Sequence, residues 1–516
     1  MSVKNDKTDV LVIGGGLAGW RAAVAAAEAG AEVLLVQKGV KSSPMVMGFN
    51  APVTEGDSAE KFEEDLERSS CEVGDPSLRK TLACGAEEQV RYFEAQGFVF
   101  DRDQKGQYSV LGVLGCGVPR LVQRTGYTGK LLLEHLENRG RGLGVRTVDG
   151  RILGLAKENG RVCGGYGQRN DGTPLKIKAK SVVIAAGGSS AMFETSTYPS
   201  GMTGDGLAMA LRAGARLVDI EFQQFEPCCF IYPPELKGSL AVTTMLLKGG
   251  ELRNNLEQSF MKQNGRTGYQ VQKNVLAECI MEQVRCGRGT EHGGVWYDVT
   301  MLPEQIIRED NALFYEKALR CGVDLTRQRA EVAPVAHTNL GGILIDRHCR
   351  TDVPGLFAAG EAIGGLHGAN RIGGCAGTET LVFGAIAGAS AAKYAASVSA
   401  PERIDWESVP DIGGGETLRK EISRIVSQCL GYDKNEQGLE DGYRRLCRLE
   451  EETGANDCGI LLMAKAQILA SLQRKESRGV FRRLDFMEQN GELDGYSFAV
   501  SWKDGLLSAE KLRCGQ

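Results

Sequence analysis

Asp9-Val10-Leu11-Val12-Ile13-Gly14-Gly15-Gly16-Leu17-Ala18-Gly19 runs from an apolar strand directly into a glycine turn, and residues 20–28 continue as an alanine-rich helical stretch. A second apolar strand follows at 31–36. Strand, glycine turn, helix and parallel strand, in that order, turn a G-x-G-x-x-G string into a dinucleotide-phosphate fingerprint. Gly14 permits the tight turn, Gly16 lets a pyrophosphate approach the backbone, and Gly19 lets the helix pack closely on the sheet. The helix opens at Leu17 and Ala18, and its N-terminus favours the negative charge of the phosphates. An acidic residue that would bind a ribose is absent from the end of the second strand, which reads Gln37-Lys38; this weakens an NAD reading.

Two later apolar runs, 181–188 and 356–361, end in small residues and a turn, as returns to the same sheet would. The long interval between them predicts an insertion over residues 221–342, read as a mobile cap, with a helix near 272–286 and a polar segment near 291–304. A proline- and glycine-containing linker at 399–415 closes the nucleotide-binding part. Helices are expected beyond it at 416–430, 438–452 and 458–474, where Leu461, Met463, Ala466, Ile468 and Leu469 recur at the spacing of a small helical bundle.

The 516 residues exceed what one hydrophobic core usually supports, so two or three domains are expected. Charged residues are 25% of the chain, and its apolar runs are short and glycine-interrupted, so no membrane span is predicted. A net charge of -5 with dispersed Lys and Arg argues against nucleic acid as a partner. None of the fifteen cysteines has the spacing of a metal, haem or iron–sulfur ligand set, so most read as buried thiols in a reducing compartment. The polar N-terminus, without an apolar signal core, gives a cytoplasmic expectation. Iron–sulfur clusters, if the protein exchanges electrons with them, would belong to another chain.

Six motifs stand in one order: 14–19; Ala185-Ala-Gly-Gly188; Thr203-Gly-Asp-Gly206; His337-Thr-Asn-Leu-Gly-Gly342; Ala358-Ala-Gly-Glu361; and His367-Gly-Ala-Asn-Arg-Ile-Gly-Gly374. With Lys475-Glu-Ser-Arg-Gly479 and Phe481-Arg-Arg-Leu-Asp485 in the tail, the chain resembles the succinate dehydrogenase and fumarate reductase flavoproteins from end to end. L-Aspartate oxidase and the adenylylsulfate reductase alpha subunit share that scaffold. The resemblance implies an α/β fold: a Rossmann-like FAD-binding domain (1–220 and 343–400), an inserted α+β capping domain (221–342) and a C-terminal helical domain (410–516).

It also implies an FAD site. The first βα turn gives Gly14, Gly16, Leu17, Ala18 and Gly19, and the end of the second strand with the loop beyond it gives Gln37, Lys38, Ser42, Ser43 and Gly48. Ala186, Gly187 and Gly188 pass close to the cofactor, Asp205 supports the loop beside it, Gly360 and Glu361 meet the ribityl chain, and Arg371, Cys375 and Ala376 complete the site. Membrane-bound relatives attach FAD through a histidine at or near the place of Ser43, so FAD here is expected to be noncovalent. In the family, loss of that link goes with reductases and oxidases.

For the substrate, the family's carboxylate-binding arginine and histidine match Arg371 and His337, with the Gly373 and Gly374 amides as further donors. The cap side departs from the family. Phe225-Glu226-Pro227-Cys228 stands where relatives read Phe-His-Pro-Thr, and Thr244-Met245-Leu246-Leu247-Lys248-Gly249 where they read Thr-Glu-x-x-Arg-Gly. Lys273 aligns with the proton-donating arginine. Glu226, Thr244 and Lys248 are thus the expected contacts for the substrate's far end, with Arg371, His337 and Lys273 as the catalytic set.

A carboxylate at Glu226 opposes a second substrate carboxylate, so the expected substrate is not fumarate but an unsaturated acid with one carboxylate and, at its other end, an amine, hydroxyl, amide or other donor, reduced by hydride from the flavin with a proton from Lys273. Electrons would come from an iron–sulfur or ferredoxin-like partner. Two alternatives stay open: oxidation of an amino or hydroxy acid or reduction of a sulfur-containing anion on the same scaffold, and a flavin electron-transfer subunit with a degenerate site.

Overall fold

The computed structural model describes residues 5–125, 128–263, 271–309, 311–404, 406, 415–455 and 458–515. Most of the linker expected at 399–415 lies outside these residues. The chain divides into two compact units, one of residues 1–194, 199–223 and 338–516, the other of residues 195–198 and 224–337.

The first unit is built on a parallel sheet. Strand Asn5–Ile13 pairs on one side with Val33–Gln37 and on the other with the long strand Pro174–Ile184, and Leu356–Ala358 extends the sheet from Pro174–Ile184. Arg146–Glu158 pairs in parallel with Val33–Gln37 through its first residues, then turns antiparallel to Arg161–Arg169. Val10, Leu11, Val12, Val182 and Val183 are fully buried, as strands covered on both faces should be. Because Asn5–Ile13, Pro174–Ile184 and Leu356–Ala358 run in register, their carboxyl ends deliver Gly14, Ala185 and Ala359 to one edge, where ligands of open α/β sheets bind.

Two helices pack against this sheet. Leu17–Glu28 packs along Cys375–Ser397, where Gly384 and Gly388 leave no room for a Cβ against the Ala18 and Ala22 carbonyls. Cys375–Ser397 is the one described helix long and apolar enough to cross a membrane, and most of it is buried in the fold. Glycine-tight packing against a second helix accounts for its composition.

The tail holds helices Gly415–Cys429, Glu436–Thr453 and Gly459–Gln473. It then adds an antiparallel hairpin, Tyr496–Lys503 with Leu506–Arg513, which joins Leu217–Val218 and Gly342–Ile343 in a four-stranded sheet. Beside the helices expected there, the tail thus carries a strand in which Ser497, Phe498, Ala499 and Val500 are all buried. Through this sheet the tail belongs to the same compact unit as the nucleotide-binding part.

The second unit carries a four-stranded sheet in the order Gln223–Tyr232, Ala330–Asn339, Val295–Asp298, Glu251–Arg253. Helix Lys273–Arg285 lies where the sequence predicts one. The expected polar segment contains strand Val295–Asp298 instead, whose Val295 and Tyr297 are fully buried. Residues 221–223 and 338–342 belong to the first unit, where Glu221 is locked by Arg474 Nε at 2.7 Å.

Candidate functional site

The nucleotide cradle begins where the sheet ends. An added Cβ at Gly19 would collide with the Gly14 carbonyl, so protein packing alone demands glycine there. Gly16 differs: its Cβ would meet only the Ser43 hydroxyl, 2.9 Å away, so the protein itself barely fills that space. Glycine at 16 serves the approach of a group from outside the chain. The 12-residue helix starting at Leu17 has no side-chain N-cap, leaving its first-turn amides to be satisfied by a ligand or solvent. Leu17 is the exception: its N–H donates to Ser43 Oγ at 2.9 Å, so the expected Leu17 contact with phosphate is spent on the chain itself.

Around this turn, Gln37 Nε2 donates to Asp149 at 3.0 Å, while the buried Gln37 Oε1 has no partner. Lys38 Nζ bonds Asp205 at 2.8 Å and the Gly201 carbonyl at 2.5 Å, fixing the start of helix Asp205–Arg212. Glu361 Oε1 accepts from Thr338 Oγ1 at 2.7 Å and from the Asn339 amide at 3.3 Å. A Cβ at Gly188 would stand 2.7 Å from that same oxygen, so a glycine brings the 185–188 turn against Glu361. Ser42 and Ser43 lie at a short 3-10 turn, with Ser43 buried. Gly48 packs on Leu121, and Gly360 against Ala18. These residues fit a dinucleotide along the carboxyl edge of the sheet.

Arg371 sits in a loop anchored from several sides of the first unit. Ala369 donates to the Ser70 carbonyl at 2.9 Å and accepts from the Val480 amide at 2.8 Å; Ser69 Oγ donates to Asn370 O at 3.2 Å. Asn50 Nδ2 donates to the Gly373 carbonyl at 2.7 Å, and His367 and Glu379 pair at 3.0 Å. The 475–485 segment, recognised only as a motif in the sequence, thus backs the arginine loop. Arg371 itself is 5% exposed. The Gly373 amide points at Leu114 O at 3.3 Å, so it is not the open donor expected for substrate. Gly374 instead N-caps helix Cys375–Ser397 at φ +81. Burial pushes the Cys375 thiol up to about 12, which keeps it a neutral thiol accepting from Asn50.

In the second unit, neighbouring strands bring Glu226 and His337 together, and the helix start brings Lys273 to Glu226. Lys273 Nζ donates to Glu226, and His337 Nε2 lies 3.7 Å from the same carboxylate oxygen. Glu226 is 7% exposed. A buried carboxylate without a counter-ion is costly, and Lys273 is the counter-ion of Glu226. Thr244 is half-buried on helix Thr243–Leu247, whose approach is held by Tyr297 Oη bonding Val242 O at 2.8 Å. Met245 is buried and Lys248 is exposed. The sequence missed two contributors: Thr197, whose hydroxyl is 2.7 Å from His337 Nδ1, and Asn50. Nothing in their spacing marks them; Thr195-Ser-Thr197 before Pro199 reads as an ordinary turn.

The FAD binding domain family matches residues 9–376. The chain is 32% identical to a fumarate reductase (CoM/CoB) subunit of Methanothermobacter marburgensis, over 98% of this chain and 97% of that one. It is 28% identical to the L-aspartate oxidase of Vibrio cholerae, over 95% and 97%. Among solved structures it is similar to Mycobacterium smegmatis Sdh1, with a TM-score of 0.86 and 28% identity, covering 100% of this chain and 95% of that one.

Proposed function

The chain belongs to the succinate dehydrogenase and fumarate reductase flavoprotein family, and from that premise we propose that it reduces the carbon–carbon double bond of an unsaturated acid bearing a single carboxylate. It is an FAD-dependent oxidoreductase of a family acting on CH–CH bonds. Bound FAD supplies hydride exchange. The protein's own residues hold the acid and move the proton.

The observation that carries the reading is the Lys273–Glu226 pair. A free lysine and a histidine in place of Glu226 would form a cationic site for a second carboxylate. Glu226 cancels the lysine charge, so a dianion such as fumarate finds no net positive partner there. Lys273 still carries a transferable proton and takes the role of acid toward the α carbon. Arg371 takes the substrate carboxylate, which a guanidinium fork holds bidentately. The L-aspartate oxidase relative keeps amino-acid oxidation as a second activity class, but a Glu226 already bonded to Lys273 is poorly disposed to receive a substrate ammonium.

Electron supply belongs to the same proposal. The Methanothermobacter marburgensis relative is named as one subunit of its fumarate reductase, which supports a separate iron–sulfur protein as the proposed donor. The test is to reduce the FAD-loaded protein anaerobically and mix it with unsaturated mono- and dicarboxylic acids. Reoxidation by a monocarboxylate, lost in Arg371→Ala while FAD stays bound, supports the reading. Reoxidation by electron carriers alone, with every acid inert, overturns it.

A further inference from the structure

We infer that Thr197 is the positioning residue that decides which imidazole nitrogen of His337 carries the proton, a role that rests on the proposed part of Glu226 and Lys273 in the reaction.

The chain makes a short excursion to reach this histidine. Residues 195–198 leave the first unit and belong to the second, and three of them in succession contact the end of strand Ala330–Asn339. Ser196 forms a parallel bridge with Ala336. The Thr197 amide donates to the Ala336 carbonyl at 3.0 Å, which pins its backbone one residue from His337. The Thr197 hydroxyl is then 2.7 Å from His337 Nδ1, and the Tyr198 ring stands edge-on to the imidazole at 5.7 Å and 73°. Backbone, hydroxyl and ring together leave the imidazole one orientation.

The protonation follows from what each neighbour can do. A neutral imidazole has one N–H donor and one acceptor nitrogen. On the Nε2 side lies the Glu226 carboxylate, already bonded to Lys273 and able only to accept. The proton therefore belongs on Nε2, and Nδ1 must accept. A backbone carbonyl opposite Nδ1 would force the other tautomer. A threonine hydroxyl can donate, and it does so to Nδ1. His337 then presents its one N–H on the side of Glu226 and the substrate, with Nε2 3.7 Å from the carboxylate oxygen that Lys273 bonds.

The test compares wild type, Thr197→Val and Thr197→Ser as FAD-loaded proteins by NMR of isotope-labelled histidine, with His337→Asn assigning the signal. Wild type and Thr197→Ser are expected to show the neutral Nε2–H tautomer near neutral pH. Thr197→Val, nearly the same shape, should lose that preference. The same variant should bind an unsaturated monocarboxylate roughly three- to tenfold more weakly in a flavin absorbance titration, the worth of one ordinary hydrogen bond, with Thr197→Ser restoring it. An unchanged tautomer in Thr197→Val, or an Nδ1–H tautomer or imidazolium in wild type, overturns the inference. If the tautomer follows Thr197 yet no unsaturated acid reoxidises any of the reduced proteins, the positioning role stands and the proposed reaction falls.

Discussion

Lys273, the first residue of its helix, donates through Nζ to the carboxylate of Glu226, the fourth residue of strand Gln223–Tyr232. Each residue alone would be a departure from the family pattern, and the two compensate each other. The buried acid is tolerable because a cation stands beside it.

Removing the lysine separates proton delivery from binding. Lys273→Met should cut the rate of flavin reoxidation by an unsaturated acid about a hundredfold or more, the usual scale for losing a general acid. Lys273→Arg should recover most of it. Because Lys273→Met strands a buried carboxylate at a cost of about 3 kcal/mol, melting of Lys273→Met is compared with that of Lys273→Met/Glu226→Gln, which should be the more stable. Equal rates in wild type and Lys273→Met would take the lysine out of the reaction.

FAD should come away from the polypeptide on acid precipitation. Ser43, at the place where membrane-bound relatives carry the linking histidine, spends its hydroxyl on the Leu17 amide and offers no nucleophile of that kind. Yellow flavin in the supernatant is the expected outcome; flavin retained by the denatured protein is the contrary one.

Asp219 gives a pH dependence of stability. It is fully buried, and its backbone is left-handed at φ +61. Burial first, then the neighbouring Glu221 carboxylate, raises it to about 7, against the opposing pull of the Ser497 hydroxyl and the Arg474 and Arg79 guanidinia. The folded state therefore holds a proton that the unfolded state has already released, and the stabilisation is full below the ordinary carboxyl range near pH 4 and is lost as pH rises to about 7. Asp219→Asn keeps the shape, and asparagine tolerates the left-handed backbone. Its melting temperature should match wild type at acid pH and exceed it above neutrality. A constant difference across the range would contradict this.

The sequence made the nucleotide half of the molecule legible because its demands are local. Gly14, Gly16 and Gly19 sit in one turn, and the chemistry of each follows from its place in that turn. Arg371 and His337 were legible through the motifs that surround them. What the sequence hid were pairings across long separations. Glu226 and Lys273 are 47 positions apart, Thr197 and His337 are 140, and neither pair leaves a periodic trace. The C-terminal hairpin was hidden for a related reason: its outer strand, Leu506–Arg513, is largely exposed, and only pairing with Tyr496–Lys503 makes it a strand.

The central claim is that the Glu226–Lys273 pair excludes a second substrate carboxylate, and flavin absorbance titration of wild type and Glu226→Gln with fumarate and with an unsaturated monocarboxylate tests it most directly. Glu226→Gln keeps the shape and frees the lysine charge. The account predicts weak fumarate binding to wild type, about tenfold tighter binding to the variant, and no such gain for the monocarboxylate. Fumarate binding tightly to wild type and equally to Glu226→Gln would contradict it.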